Sequence, residues 1–159
     1  MAETKSEGGG IKIICENRKA RHNYFIEDRF EAGMVLKGTE VKALREGKAN
    51  LLDAYAIFKG GEVYLLNANI SPYAMGNREN HEPLRTRKLL LHHSEISKLW
   101  GKSEIKGYAL IPLKMYFKNG IAKVEIGLGR GKQAHDKRQV TKEREAQRHM
   151  AKITKGQRR

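Results

Sequence analysis

Three short basic segments hold the side chains best suited to chemistry with a polyanion. Residues 16–25 place three permanent cations beside His22 and Tyr24, a combination that contacts phosphates and stacks on exposed nucleobases. Residues 45–50 join a glycine turn to lysine and asparagine donors, and residues 85–88 supply three further cations. Each segment alone is explained slightly better as solvated loop surface. Three of them in one small chain favour nucleic acid as the partner, and RNA over duplex DNA because no DNA-reading helix module is visible.

Patterns for catalysis and metal binding are weak by comparison. The six histidines form no His-x-x-x-His pair, and the single cysteine, Cys15, excludes a paired-cysteine ligand set. No Gly-x-Ser-x-Gly elbow occurs, and no acidic cluster suits two-metal chemistry. We therefore predict no enzyme activity, no cofactor and no metal site. The enzymatic alternative is hydrolysis by a His and acid pair, for example His135 with Asp136 or His22 with Glu31.

A glycine-rich run at residues 127–133 superficially resembles a phosphate-binding loop. The Walker spacing would require glycine at position 126 and serine or threonine at position 133, where the chain has Ile126 and Gln133. The match fails at both positions, so a nucleotide-binding loop is not predicted here.

The charge of the chain is high and unevenly distributed. Its 159 residues include 32 Lys and Arg against 18 Asp and Glu, which gives a net charge of +14. Charge alone fits either nucleic acid or an anionic membrane surface. No stretch approaches the roughly 20 apolar residues of a spanning helix, and the N-terminus lacks the apolar core of a signal peptide. With a lone cysteine, which fits a reducing compartment, these features predict a soluble cytoplasmic protein with no membrane partner.

Alternating apolar residues and turn signals predict a mainly β body over residues 11–129. Two hairpins are indicated: one over residues 56–66 that turns at Gly60-Gly61, and one over residues 111–128 that turns at Asn119-Gly120. Further strands are predicted at residues 11–15, 34–44 and 67–70. In the second hairpin, Ile111, Leu113, Met115 and Phe117 are predicted to face the core, while Lys114, Tyr116, Lys118 and Lys123 face outward. Pro112 is expected at a strand start or an edge.

Two short helices are predicted among these strands. Asn23 can cap a helix over residues 24–32 that ends at Gly33, and Ser94 can cap a helix over residues 95–100 that ends at Gly101. We expect Ile96, Leu99 and Trp100 to pack into the core. This number of short strands and helices is typical of a small, closed antiparallel barrel, a class that includes the OB-fold.

Residues 130–159 have a different composition from the body. They carry eleven basic and three acidic side chains, a net +8, and only Val140, Met150 and Ile153 as sizeable apolar residues. We therefore predict a disordered basic tail in free solution, and a flexible N-terminus over residues 1–10. Basic residues at spacings of four, four, three and four would form one stripe on a helix if phosphates neutralised them; a solvated tail that aids solubility is the alternative. The stripe consists of Arg144, Arg148, Lys152, Lys155 and Arg159.

Four ordered motifs resemble a known family. They are RKARHNYFIE at residues 18–27, GTEVKALREGKAN at 38–50, RTRKLLL at 85–91 and GKQAHDKR at 131–138. In order and spacing they are similar to the bacterial SsrA-binding proteins, the small protein B (SmpB) family, from about residue 13 onward. The resemblance implies an OB-like barrel flanked by helices that binds transfer-messenger RNA and delivers it to ribosomes stalled on messages without a stop codon. It implies trans-translation, with no chemistry performed by the protein itself.

The resemblance also implies site residues. From the residues themselves, the Leu89-Leu90-Leu91 run is expected to pack inward and the cations before it to stay solvated, whereas the resemblance places Leu90 against RNA. Glu31 would repel phosphate, so it would accept a hydrogen bond from a base amino group, a 2′-hydroxyl or a neighbouring arginine. The implied RNA-binding residues are Asn17, Arg18, Lys19, Arg21, His22, Glu31, Gly47, Lys48, Ala49, Asn50, Lys88, Leu90 and Lys123.

In such proteins the tail occupies the messenger channel and decoding centre of the ribosome and becomes helical there. Gln133 and Thr154 depart from the residues that are frequent at those positions. We expect a monomer with transfer-messenger RNA and the ribosome as partners; the alternatives are a generic OB-fold RNA-binding or ribosomal protein, and an RNA-processing enzyme. The implied tail residues, together with the basic stripe, are Gly131, Lys132, His135, Asp136, Lys137, Arg138, Arg144, Arg148, Lys152, Ile153 and Lys155.

Overall fold

A computed structural model describes residues 10–105, 107–132 and 134–157 of the chain. The predicted flexible segment 1–10 therefore lies outside the described residues, except for Gly10. The strands are β1 (Ile11–Glu16), β2 (Tyr24–Met34), β3 (Ala49–Asn50), β4 (Tyr55–Lys59), β5 (Glu62–Leu66), β6 (Asn69–Ile70), β7 (Arg87–Leu90), β8 (Tyr108–Lys118) and β9 (Ile121–Gly131). The helices are α1 (Arg18–Asn23), α2 (Gly38–Arg45), α3 (His93–Ser103) and α4 (Ala134–Gln157), with a 3₁₀ turn at Asn77–Glu79.

Six of the strands close into an antiparallel barrel. The order β8-β4-β5-β7-β2-β9 returns to β8 through the pairing of β8 with β9, and β1 joins the outside of this ring along β8. β3 and β6 form a separate two-stranded ladder. The mainly β, OB-like barrel with short flanking helices is thus confirmed.

Both predicted hairpins are present, because their turn residues can adopt the left-handed backbone that a two-residue turn requires. Gly60 and Gly61 have φ of 61° and 79°, and they join β4 to β5. Asn119 and Gly120 have φ of 52° and 81°, and they join β8 to β9.

A register shift between Pro112 and Lys114 interrupts the alternation predicted for β8. Met115 and Phe117 lie in the main barrel core, but Ile111 and Leu113 lie in a second cluster on the outer face, packed against Ala20 of α1. Pro112 is therefore neither at the start of its strand nor at an edge. It pairs with β9 beside the bulge, a place where the missing amide donor is tolerated.

Two glycines of the run at residues 127–133 make room for this second cluster. A Cβ on Gly129 would lie 2.8 Å from the carbonyl oxygen of Phe25, and one on Gly127 would lie 3.0 Å from Leu113. The run belongs to β9 up to Gly131, and Gly127 and Gly129 serve close packing.

The segment from residue 24 to residue 45 corrects two predictions. Residues 24–34 form β2, which pairs with β9 and β7, so the helix expected there is wrong; Gly33 is extended and pairs with Leu90 and Lys123. The strand expected at residues 34–44 is wrong beyond Met34, since α2 begins at Gly38, where the side chain of Glu40 accepts a hydrogen bond from the Lys37 amide at 2.8 Å. Such a capping interaction favours a helix start.

Helix α3 lies where a helix was predicted but extends further at both ends, from residue 93 to residue 103. Leu99 is fully buried and Ile96 packs against the core, as expected. Trp100 is 48% exposed, which corrects its core assignment; its ring meets Phe58 edge to face, with centroids 5.2 Å apart.

A buried ion pair fixes α2 to the barrel. Arg87, expected to be solvated, is fully buried and donates to Glu40 at 2.5 Å, to the Ala68 carbonyl at 2.6 Å and to the Pro83 carbonyl at 3.1 Å. Arg85 donates to the other oxygen of Glu40 at 2.6 Å. Burial acts to raise the pKa of Glu40, but these donors outweigh it, so the pKa lies below its usual value. Burial lowers the pKa of Arg87. A charge survives in a core only when it is paired in this way.

The tail forms the helix α4. Its described side chains, Arg138 and those of residues 141–152, are exposed. The disorder of the tail in free solution and its helical form on the ribosome both stay predictions.

Candidate nucleic-acid interface

Helix α1 holds the first group of predicted RNA-binding residues on the outside of the barrel. It is only six residues long, so its position depends on packing rather than on intrinsic helix stability. Asn17 anchors it: its amide donates to the Leu113 carbonyl at 2.7 Å and its side-chain Nδ2 to the Pro112 carbonyl at 3.0 Å. Asn17 is itself buried, so it positions α1, whereas Arg18, Lys19 and Arg21 are exposed to a partner.

The second group, residues 47–50, lies close to α1. Gly47 ends α2 with φ of 74°, and the Lys48 ammonium lies 3.1 Å from Glu46. A cleft of about 430 Å³ lies beside Lys19, and one of about 360 Å³ lies beside Asn50. The two clefts share Leu52 and Asp53, so the fold brings these segments together although residues 24–46 separate them in the sequence.

The third group lies on the outer face of the sheet formed by β7, β2 and β9. Gly33 of β2 pairs with Leu90 on one side and with Lys123 on the other. Leu90 is 52% exposed, which corrects its inward assignment; Leu89 is fully buried. Lys88 lies two residues from Leu90 along β7, 3.6 Å from Glu62. An exposed apolar side chain is thus flanked by two lysines.

Glu31 lies on this face, held by two donors from β8. The Tyr116 hydroxyl donates to its Oε2 at 2.5 Å, and the Lys118 ammonium lies 3.4 Å from the same oxygen. The hydrogen bond from Tyr116 is the main reason that the pKa of Glu31 lies below its usual value, against a smaller effect of burial and with help from Lys118 and Lys123. Burial and the nearby carboxylate raise the pKa of Tyr116. Tyr116 is buried, which corrects its predicted exposure.

The start of the tail is attached to α1. The Lys132 amide donates to the Asn23 carbonyl at 2.8 Å, and its ammonium donates to the Arg21 carbonyl at 2.9 Å and lies 4.8 Å from the centre of the Phe25 ring. Gly131, the last residue of β9, precedes it. Lys132, assigned to the tail, therefore belongs to the surface around α1.

Helix α4 continues alongside α1. One groove between them is lined by His22, Arg138, Thr141 and Lys142, and Arg144 lines a second cleft with Arg18 and Arg21. Arg148 and Lys152 are exposed further along the helix. The side chains of five further predicted tail residues lie outside the described part of the structure: His135, Asp136, Lys137, Ile153 and Lys155.

Two contacts of this surface could not be found from the sequence. Tyr116 and Lys118 belong to the alternating pattern of β8, but their contact with Glu31 crosses β9, and a pairing of this kind leaves no signal in one sequence.

Among the described residues, no three His, Cys, Asp or Glu side chains are grouped to bind a metal ion. No helix in the described part of the chain combines the length and the apolar character needed to cross a membrane.

Comparisons with known proteins agree with one another. The family described as SmpB protein matches residues 14–156. The SsrA-binding protein of Geobacter sulfurreducens is 61% identical over 142 residues, which cover 89% of this chain and 93% of the relative. That of Geobacillus thermodenitrificans is 58% identical over 144 residues, 91% of each chain.

A solved structure described as "tmRNA-SmpB: a journey to the center of the bacterial ribosome" contains a chain that is 54% identical. The similarity covers 76% of this chain and 85% of that one, with a TM-score of 0.64. The family match begins within β1 and ends within α4, so it includes the six barrel strands and the helices around them. This chain therefore belongs to the SmpB protein family.

Proposed function

We propose that this protein is an RNA-binding adaptor that binds the tRNA-like domain of transfer-messenger RNA and delivers it to stalled ribosomes, where incomplete proteins are tagged by trans-translation. The observation that carries the proposal is the likeness, at 54% identity, to an SmpB chain from a structure described as tmRNA-SmpB in the bacterial ribosome. The relatives named SsrA-binding protein support the same RNA partner. Work on a ribosome requires a cytoplasmic location, which is part of the proposal.

The body would supply the specific RNA contact. The cations of α1 suit phosphates, and the amide-rich cleft beside Asn50 and the exposed Leu90 suit unpaired nucleotides, which is how proteins usually recognise folded RNA. The tail would supply the ribosome contact. Arg144, Arg148 and Lys152 are spaced by four residues and lie along one side of α4, a stripe suited to a channel walled by RNA phosphates.

We further propose that the protein performs no chemistry on the RNA. The rival hypothesis is a nuclease or RNA-modifying enzyme that uses a histidine and an acid. Purified protein incubated with transfer-messenger RNA is expected to leave it intact. Cleavage that disappears in His135→Ala would favour the enzyme.

Equilibrium binding separates the specific adaptor from a generic OB-fold RNA-binding or ribosomal protein. Binding of the tRNA-like domain is compared with binding of an unrelated stem-loop of equal length at the same salt. We expect the tRNA-like domain to bind at least tenfold more tightly; equal affinities would contradict the proposal, because phosphate attraction alone would then explain binding.

A variant pair locates the contact. The double substitution Arg18→Gln and Arg21→Gln should weaken binding of the tRNA-like domain much more than Lys59→Gln with Lys98→Gln, which removes the same charge from β4 and α3. Equal losses for the two pairs would show that net charge, rather than α1, governs binding.

A further inference from the structure

A polar cleft of about 360 Å³ lies beside the two-stranded ladder of β3 and β6. Its volume is near the lower end of the range for small-ligand sites, about 300–1,000 Å³, so it suits a single planar group. Of its lining residues, only Asn50 is among the residues that the family resemblance assigns to RNA. The lining side chains are three asparagines, two leucines and one carboxylate: Asn50, Asn67, Asn69, Leu52, Leu84 and Asp53.

The buried Arg87 fixes two walls of this cleft from behind. Its guanidinium donates to the Ala68 carbonyl at 2.6 Å, and Ala68 lies between Asn67 and Asn69. It also donates to the carbonyl of Pro83 at 3.1 Å, which directly precedes one of the two leucines. Since Arg87 is fully buried, these contacts hold both segments in place before a ligand binds.

The polar side chains of the cleft have unused hydrogen-bonding groups. Asn50 accepts a hydrogen bond from the Leu52 amide through Oδ1 at 2.7 Å, which leaves its Nδ2 group as a donor. The side chains of Asp53, Asn67 and Asn69 form no hydrogen bond or ion pair within the described part of the chain. All of them are exposed, so they are accessible to a ligand.

The charge of the cleft favours a base over a phosphate. None of the described side chains that line it is basic, and Asp53 would repel an anion. The adjoining cleft, which shares Leu52 and Asp53, contains Lys19 of α1. A nucleotide can therefore place its phosphate near Lys19 and the face of its base against Leu52 and Leu84, which are 47% and 52% exposed.

Guanine matches these polar groups better than the other three bases. Its Watson–Crick edge presents two adjacent donors, N1–H and N2–H, to a carboxylate, which only accepts. The O6 acceptor beside them suits the donor of an asparagine amide. Adenine would direct its N1 lone pair at Asp53, whereas cytosine and uracil each offer the carboxylate one donor group.

We propose that this cleft binds the base of one unpaired guanosine in RNA, and that Asp53 determines the specificity by accepting hydrogen bonds from N1 and N2 of guanine. The inference rests on the proposed function in one respect, that the ligand is RNA. It adds a base-reading site to the phosphate contacts of α1.

Nucleotide-analogue interference locates the guanosine. The tRNA-like domain of transfer-messenger RNA is transcribed with occasional inosine, which lacks the guanine amino group but keeps N1–H, and molecules bound by the full-length protein are sequenced. At one unpaired guanosine, inosine should weaken binding roughly tenfold, the usual effect of losing one hydrogen bond to a charged group. With Asp53→Ala this penalty should disappear, whereas penalties at paired guanosines should remain.

A change of specificity distinguishes base recognition from a structural role. An RNA with adenosine at the mapped position should bind the unmodified protein at least tenfold more weakly. Asp53→Asn should restore most of this affinity, because an amide can donate to N1 of adenine and accept from N6. A residue that only supports the loop would not restore binding of the adenosine RNA.

The matched control is Glu104→Gln, which removes one exposed carboxylate at the end of α3, outside the cleft. It should leave both the inosine penalty and the preference for guanosine unchanged. If Asp53→Asn and Glu104→Gln behave alike in both measurements, the inference is wrong, since a general loss of negative charge would then explain the effects.

Short single-stranded RNAs separate this inference from the proposed function. Runs of uridine with one central guanosine or adenosine contain no part of transfer-messenger RNA. The full-length protein should bind the guanosine RNA about tenfold more tightly, and Asp53→Asn should reverse the preference. Absence of any preference would overturn the guanine site even if the tRNA-like domain binds. A preference without specific binding of the tRNA-like domain would support the guanine site and contradict the proposed function.

Discussion

The barrel and the tail helix carry a similar net positive charge, but the charged side chains are arranged differently in the two regions. In the barrel, acidic side chains of the outer face are paired with basic ones, and the deepest pair, Glu40 with Arg87, lies in the core. In α4 the described side chains are exposed, and Met150 is 62% exposed. Where α4 lies beside α1, basic side chains of the two helices lie next to each other. We propose that the barrel holds its predicted RNA-binding groups in place before binding, whereas the tail depends on a polyanion to stabilise its helix.

Removal of the tail should have the largest effect on function. Truncation after Lys132 keeps all of β9 and the attachment of Lys132 to α1. We expect tagging of proteins on stalled ribosomes to be abolished, while affinity for the tRNA-like domain falls by less than about tenfold, because only peripheral phosphate contacts are lost. Tagging in a reconstituted translation system and filter binding measure the two effects. A truncated protein that still tags would contradict the assignment of the tail.

Loss of the buried ion pair should affect the barrel alone. Arg87→Ala leaves Glu40 fully buried with one remaining arginine, and we expect the free energy of unfolding to fall by about 3–5 kcal/mol. Arg148→Ala in the exposed tail should change it by less than about 0.5 kcal/mol. Urea denaturation measures both. Comparable losses would show that α4 belongs to the cooperative unit.

A pair of glycines tests the close packing between β2 and β9. Gly129→Ala places a methyl group 2.8 Å from a backbone oxygen, whereas Gly131→Ala meets its nearest atom at 4.0 Å. We expect the first to destabilise the barrel by about 1–3 kcal/mol and the second to have little effect. Thermal unfolding measures the midpoints of both variants. Equal midpoints would contradict the close packing at Gly129.

The smallest expected effect concerns pH. The pKa of Glu31 is lower in the folded protein than its ordinary value of 4.5. The hydrogen bond with Tyr116 therefore contributes its full stabilisation above pH 4.5, and this contribution is lost as the pH falls through the lower pKa of the folded protein. Tyr116→Phe should therefore be less stable by about 1 kcal/mol at pH 7, and the difference should narrow as the pH drops below 4.5. A difference that stays constant down to pH 2 would mean that the hydroxyl acts independently of the ionised carboxylate.

Local signals were enough to predict part of the fold. Gly60-Gly61 and Asn119-Gly120 permit positive φ, so the two hairpins could be placed from the sequence. Residues 24–34 could not be placed in this way, because Asn23 and Gly33 resemble helix caps. The pairing of β2 with β9 and β7 decides the outcome, and it involves residues about one hundred and about sixty positions away, respectively. Arg87 was misplaced for the same reason: its partner Glu40 is 47 residues distant.

Some residues of the candidate site could be predicted from the sequence alone, and others could not. The cations of α1 form one continuous stretch of sequence, and residues 47–50 form another. Together with residues 85–88, their composition favoured RNA as the partner, since no DNA-reading helix module is visible. Leu90, Glu31 and Lys123 depend on which face of each strand is exposed, and the bulge beside Pro112 shifts that alternation in β8. Their assignment to one surface came from the family resemblance, and the structure adds the contact with Tyr116 that fixes Glu31.

We propose that one small adaptor makes two RNA contacts, one through a folded barrel and one through a tail that folds on the ribosome. Hydrogen–deuterium exchange of the full chain can test both contacts in three states: the free protein, the protein bound to transfer-messenger RNA, and the protein on a stalled ribosome. Amides of α4 should exchange rapidly in the first two states and become protected only on the ribosome, while those of β8 and β9 stay protected throughout. Strong protection of α4 in the free protein would contradict the claim.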